Sequence, residues 1–252
     1  MKQLVLYSLL LLVISCAPIN FYQLHKISAE SGTLTDNNIV FEGEDFKILY
    51  NFWDEGGDAG FYFYNKSDTD IQIDLTKSFF VLNDVSYEYF QNRSFTESES
   101  KESSTSASAY SYFHGRSVKV SNTASSTATF GQKTNITIPQ KSMTKISEFH
   151  VSNERHISCE LIKYPKTKDI KTIKFDNLHS PLKFYNLISY TLKGETKRLE
   201  NKFFVSELTN LPESAALTTN DRSPCGRKLE TPIEAFKDIA PDKFYIKYVR
   251  EQ

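Results

Sequence analysis

The sequence predicts an all-β fold, predominantly antiparallel, with its strands stacked as a sandwich. Three observations carry that expectation. Asp70-Ile71-Gln72-Ile73-Asp74 alternates strictly, with Ile71 and Ile73 on one side and polar residues on the other, the period-two signature of a half-buried strand. Aromatic and β-branched runs lie on either side of it, Gly60 to Tyr64 (GFYFY) before and Ser78 to Leu82 (SFFVL) after. Turn chemistry separates these segments at short intervals, as it does between the strands of a sandwich.

The N-terminus reads as a processing signal and not as part of the fold. Lys2 precedes an apolar run of 11 residues, Leu4 to Ile14, interrupted only by Ser8. A bilayer span needs ~20 residues, so this length suits the hydrophobic region of a signal peptide at residues 1–15. Val13-Ile14-Ser15-Cys16 resembles the lipobox of bacterial lipoproteins, in which the chain is cut before the cysteine and its sulfur receives diacylglycerol. Cys16 is therefore the expected lipidation site, and acyl chains such as palmitate would anchor the protein at ~0.8 kcal/mol per buried methylene. Ala17-Pro18-Ile19-Asn20 carries no acidic residue behind the cysteine, which favours the periplasmic face of the outer membrane over the inner membrane or the cell surface. Residues 16–38 are expected to be the lipidated cysteine and a tether spanning ~25 Å. The alternative is a first strand in which Phe21, Tyr22 and Leu24 pack on the body.

Residues 39–252 form a single domain. Ile39-Val40-Phe41 and Phe46 to Trp53 are strand candidates. Asp54-Glu55-Gly56-Gly57-Asp58 joins the second to the aromatic run, and its paired glycines allow the positive φ of a hairpin. Its three carboxylates lack the spacing and distal glutamate of a calcium loop. Asn65-Lys66-Ser67-Asp68 and Asn83-Asp84 are turns, and Val85 to Tyr89 resumes alternation. Residues 94–130 are rich in Ser and Thr and read as a long loop insertion, too polar to offset the entropy of ordering. Strands resume at 134–138, ended by Pro139, and at Met143 to His150. Ser142-x-x-Lys145 formally matches a serine-nucleophile motif, but it lies in a strand and lacks the partner motifs that chemistry needs. Further strands are expected at Ile173 to Asp176, Leu182 to Leu192, Lys202 to Leu208 and Lys243 to Tyr248. Thr231-Pro232-Ile233-Glu234 combines an N-cap, a first-turn proline and a capping-box glutamate, which predicts a short C-terminal helix near 232–238.

Cys159 and Cys225 are the thiols left after Cys16. In an oxidising compartment they suit a disulfide worth ~4 kcal/mol by chain entropy, with two free thiols as the alternative. Cys159 is placed in a strand (HISCELI). Histidines 25, 114, 150, 156 and 179 are scattered, with no metal-ligand spacing. The charges, 30 basic against 31 acidic, show no footprint for nucleic acid. No catalytic constellation, metal site or cofactor motif emerges.

The unit FYFYNKSDTDIQIDLTKSFFVLND is similar to a strand-turn-strand unit of immunoglobulin-like domains in bacterial lipoproteins. Together with ITIPQKSMTKIS, NLHSPLKFYNLISYTL and NKFFVSEL, it resembles an uncharacterised Bacteroidetes lipoprotein family over most of residues 45–208. That family usually reads I-P-P-K-S where Gln140 stands here. The resemblance implies an immunoglobulin-like β-sandwich and an envelope location, and it transfers no catalytic residue. The function expected is a membrane-anchored, non-enzymatic binding or assembly module with an envelope protein as partner. The alternative is a glycan-binding or glycan-processing accessory that uses Trp53 and the tyrosine-rich strands.

Overall fold

Period-two alternation becomes strand along most of the chain. The computed structural model describes residues 19–99, 126–222 and 227–250. In chain order its strands are β1 (Asn20–Ala29), β2 (Thr33–Leu34), β3 (Ile39–Glu42), β4 (Phe46–Tyr50), β5 (Phe61–Asn65), β6 (Ile71–Leu82), β7 (Val85–Glu88), β8 (Ser94–Glu99), β9 (Ser126–Gly131), β10 (Asn135–Ile138), β11 (Met143–Ile146), β12 (Thr172–Lys174), β13 (Lys183–Leu192), β14 (Glu195–Pro212), β15 (Leu217–Arg222), β16 (Lys228–Phe236) and β17 (Lys243–Val249). One sheet runs β10-β6-β13-β14-β1-β17, with β7 added on β6 and β12 on β14; a second runs β11-β5-β4-β3-β2. The pairs are antiparallel, and the two sheets face each other across a shared aromatic core. Tyr50 of β4 meets Phe203 of β14 with ring centroids 4.9 Å apart, and Phe46 meets Tyr190 of β13 at 5.7 Å. The protein is an all-β antiparallel sandwich. The immunoglobulin-like strand order is not confirmed: β2 to β5 form a plain meander, where an immunoglobulin sandwich divides successive strands between sheets by Greek-key connections.

The turn at Asn65 explains the motif around it. Its Oδ1 accepts from the Ser67 backbone N at 2.9 Å and from Ser67 Oγ at 2.7 Å. Its Nδ2 faces the carbonyls of Thr69, Ile138 and Pro139 at 2.8, 3.0 and 3.2 Å. One buried amide thus joins β5, β6 and the β10–β11 connection, where both pairs of strands cross between sheets. The Gln140 N–H donates to Asp70 Oδ1 at 3.3 Å, a bond that a proline there could not make. Between Asp74 and Ser78 the single strand β6 carries a bulge. Register against β13 shifts between Leu187 and Ser189, and Thr76 N and Oγ both donate to Asp74 Oδ1. Asn83 and Asp84 hold φ of 45° and 66°, as do Lys193 and Gly194 at 52° and 82°, the conformation of two-residue hairpin turns.

Several expectations are corrected. The supposed tether contains β1, an interior strand bonded to both β14 and β17. Gln23 and His25 made it look polar, yet both are fully buried. The expected helix near 232–238 is instead part of strand β16, which pairs with β15. So short a helix would have buried little and closed few bonds against the cost of nucleation, whereas β15 offers a ladder. Pro232 lies where the register shifts, so its missing N–H breaks no bond of that ladder. Among the described residues the α-helical turn is Glu213–Ala216. The strand expected at Cys159 is a loop, pinned from outside by Gln23 and Asn210. The ends of the Ser/Thr-rich insertion pair as a β8–β9 arm; its residues 100–125 lie outside the described residues.

Gly56 and Gly57 have φ of 82° and 76°. A Cβ on Gly57 would lie 2.9 Å from Phe244 Cγ, whereas one on Gly194 would meet nothing within 4 Å. Gly57→Ala is therefore expected to cost about 2–3 kcal/mol, through clash and positive φ together, and Gly194→Ala only about 1 kcal/mol. Urea midpoints of the two variants compare them directly, and equal losses would show that the Phe244 contact is immaterial.

Candidate functional site

The connection between β4 and β5 lines a concave site that also draws on β5, β11 and the segment before β17. Phe52 N donates to the Pro241 carbonyl at 2.9 Å and Gly56 N to that of Tyr245 at 2.9 Å, which laces the loop onto the edge strand β17. Trp53 is packed by Phe236 and Tyr245, with centroids at 5.1 and 5.5 Å. Beside it opens a cleft of about 580 Å³, lined by Asn38, Asn51, Trp53, Asp58, Tyr62 and Lys145 among others.

Asp58 is the electrostatic centre of this cleft. Its Oδ2 takes a hydrogen bond from Lys145 Nζ at 2.9 Å. Its Oδ1 takes two more, from Ser147 Oγ at 2.7 Å and Gly60 N at 2.8 Å. Burial pushes the carboxyl pKa up, but the three donors and the lysine charge outweigh it and hold the group below the usual range. Lys145 is shifted up in turn: burial lowers it, and the bond to Asp58 more than compensates. Lys145 also lies 5.9 Å from the Tyr62 ring centroid. A general acid needs the opposite shift, a carboxyl kept protonated near neutrality. Asp54, on the same rim, accepts from Glu55 N at 2.8 Å and stands 3.9 Å from His150 Nε2. What this arrangement offers a ligand is an aromatic wall, side-chain amides and a fixed ion pair.

Removing the acceptor tests that ion pair. Asp58→Ala leaves Lys145, Ser147 and Gly60 N without their partner, and an expected loss of about 1–3 kcal/mol follows because the site is only partly screened. Asp58's own contribution is present above the unfolded carboxylate pKa and is lost as pH falls through its lowered folded value. Urea denaturation at pH 7 and again at pH 3 measures both; a variant as stable as the parent at pH 7 would contradict the assignment.

The Ser142–Lys145 spacing brings no nucleophile together with a base. Ser142 Oγ donates to the Pro139 carbonyl at 2.7 Å while Lys145 serves Asp58. Cys159 is exposed; Cys225, its expected partner, and the lipidation site Cys16 lie outside the described residues. Among the described residues no group of three or more His, Cys, Asp or Glu could hold a metal ion. Sequence reasoning missed Asp58–Lys145–Ser147, because 87 and 89 residues separate Asp58 from its partners. It also missed the buried pair of Gln23 and Asn210, bonded at 2.8 Å, from which Gln23 reaches both backbone groups of His156. No protein-family model, curated protein or solved structure matches the chain.

Proposed function

We propose that this chain is a lipid-anchored protein of a bacterial cell envelope, held through Cys16 to the periplasmic face of the outer membrane, where it acts as a non-enzymatic binding or assembly module. The observation that carries the reading lies in the sequence: an apolar run followed by Ser15-Cys16, only four residues before β1 begins at Asn20. The resemblance to Bacteroidetes lipoproteins supports the same compartment. The cleft beside Trp53 is the surface such a module would offer, since its charged centre is already neutralised within the protein. Mass spectrometry of the N-terminal peptide, together with capture from detergent-solubilised envelopes, tests both halves. An acylated Cys16 and a stoichiometric envelope protein support the proposal. A Cys16→Ser form that stays in the membrane fraction would sink the anchor, and clean capture of nothing would sink the assembly role.

Glycan recognition is the second reading, favoured by an aromatic side chain beside the amides of Asn38 and Asn51 in one cleft. Trp53 is the only tryptophan of the chain, so its fluorescence reports on that cleft alone. Saturable quenching by an envelope oligosaccharide, lost in Asn51→Ala, is the result expected of this reading. Invariant emission across such ligands would exclude it.

A further inference from the structure

The end of the sandwich where β1 begins is built unlike the rest of the surface, and we propose that it rests on the headgroup layer of the bilayer that holds Cys16. This inference rests on the lipid-anchor reading above. Ile19 follows Cys16 by three residues, a link that spans at most ~11 Å even when fully extended. β1 alone, at 10 residues, is about 33 Å long. An anchor this short holds the start of β1 at the membrane whatever the orientation of the rest.

What surrounds that point suits an interface between water and lipid. Ile19, Ile157 and Ile162 are 54%, 78% and 54% exposed, and Val249 opposite Asn20 is 48% exposed. Below them Phe21, Tyr164 and Tyr248 form a ring cluster, with centroids 5.1 Å apart for Phe21 and Tyr164 and 5.8 Å for Phe21 and Tyr248. Cations sit over these rings: Arg155 is 5.2 Å from the Tyr248 centroid, and Lys163 and Arg250 are 5.1 and 5.6 Å from that of Tyr164. The chain continues from there through Lys166, Lys168 and Lys171. Among the described residues the acids nearby are Glu154, next to Arg155, Glu213, which accepts from Asn20, Glu160, 3.8 Å from Lys171, and Asp169, which ends the short 3-10 turn. In a chain whose charges nearly cancel, this concentration of cations is local. Aromatic rings, exposed isoleucines and long cationic side chains are the residue types that partition to a headgroup layer and meet its phosphates.

The surface is also fixed in place. Tyr248 Oη donates to the Lys163 carbonyl at 2.6 Å, Asn210 Nδ2 to that of Ile162 at 2.9 Å, and Gln23 holds both backbone groups of His156. The loop from Arg155 to Tyr164 is therefore tied to β1, β14 and β17. A body docked through it would present the β13–β14 hairpin at Lys193 and Gly194, at the far end of β14, away from the membrane.

Lysine acetylation of the full-length acylated protein tests this, carried out in nanodiscs of phosphatidylethanolamine and phosphatidylglycerol and read by mass spectrometry. The expected result is severalfold protection of Lys163 and Lys166 relative to Lys193 and Lys197, which serve as internal controls. Arg155→Glu combined with Arg250→Glu should abolish that protection while acylation and circular dichroism stay unchanged; the wild-type footprint decides even if this variant fails to fold. Equal reactivity at the two ends on an acylated protein would overturn the docking inference and leave the anchor standing. Equal protection in a soluble Cys16→Ser form would also overturn it, by assigning the contact to a second copy or to the protein itself. An unmodified Cys16, visible in the intact mass, would overturn the anchor and this inference together.

Discussion

Asn186→Ala is expected to destabilise the protein by about 4 kcal/mol, a large share of a typical domain's stability. Asn186 is fully buried on β13, in the middle of the interface between the sheets. Its Oδ1 accepts from Tyr89 Oη at 2.6 Å, and its Nδ2 donates to Tyr50 Oη at 3.2 Å and to the Ala59 carbonyl at 3.1 Å. Tyr50 Oη donates its own hydrogen bond to Asn201 Oδ1 at 2.9 Å. Tyr50 and Tyr89 are each at most 1% exposed, so water cannot replace a missing partner without entering the core. Truncation strands one hydroxyl donor and one carbonyl acceptor, at about 1–3 kcal/mol each, and leaves a cavity. A double-mutant cycle separates these terms. Tyr89→Phe in the Asn186→Leu background should recover about 1–2 kcal/mol, because removing both partners costs less than orphaning one. Chemical denaturation of the four proteins gives the coupling, and strict additivity would mean the 2.6 Å bond contributes nothing.

Acidification below pH 6.5 is expected to weaken the fold by up to about 1.4 kcal/mol per pH unit through His25 alone. This imidazole is fully buried on β1, with Nδ1 3.3 Å from the Gln23 carbonyl, and it stacks on Phe244 at 4.2 Å and 12°. Its Nε2 has no partner. Burial drives its pKa down to about 3, against the small upward pull of the Gln23 carbonyl. Between about 6.5 and 3 the unfolded chain binds a proton that the folded chain refuses, so stability is complete above 6.5 and falls as pH drops through that window. His156, lowered mainly by burial, adds a smaller slope of the same sign. The carboxylates Asp58 and Asp74, both lowered, enter only near and below the unfolded carboxylate pKa. His25→Phe should therefore flatten stability between pH 6.5 and 5, where the parent declines. Parallel declines in urea midpoint across that range would show that His25 is protonated within the fold. Ser189, whose buried Oγ also lacks a partner, makes a useful contrast: Ser189→Ala should be neutral or slightly stabilising at every pH.

Much of the sandwich was legible in the chain because strand alternation and turn chemistry are local. Ile71 and Ile73 are fully buried while Gln72 is exposed, as their alternation requires. The Lys193-Gly194 turn and the positive φ of Gly56 and Gly57 follow from residue type. The candidate cleft was only partly legible. Trp53 and the acidic loop stood out in the sequence, but nothing near Asp58 announces Lys145 or Ser147.

The N- and C-terminal regions were misread for the same physical reason. Gln23 and His25 signal exposure by type, yet on β1 each is buried by what packs on it. Gln23 is satisfied by Asn210 and His156, and His25 is covered by Phe244, 219 positions further along the chain. Thr231 to Glu234 carries helix-start chemistry, but its isolated helix would have almost nothing to bury, and β15 supplies a ladder instead. The sequence by itself determined the all-β class, most strand positions and the hairpin turns, since period and turn chemistry act between neighbouring residues. Only the tertiary structure decided that β1 lies inside the sheet, that β16 is a strand, and that Asp58 meets Lys145. Those outcomes depend on partners supplied from elsewhere in the chain, and local propensity carries no information about them.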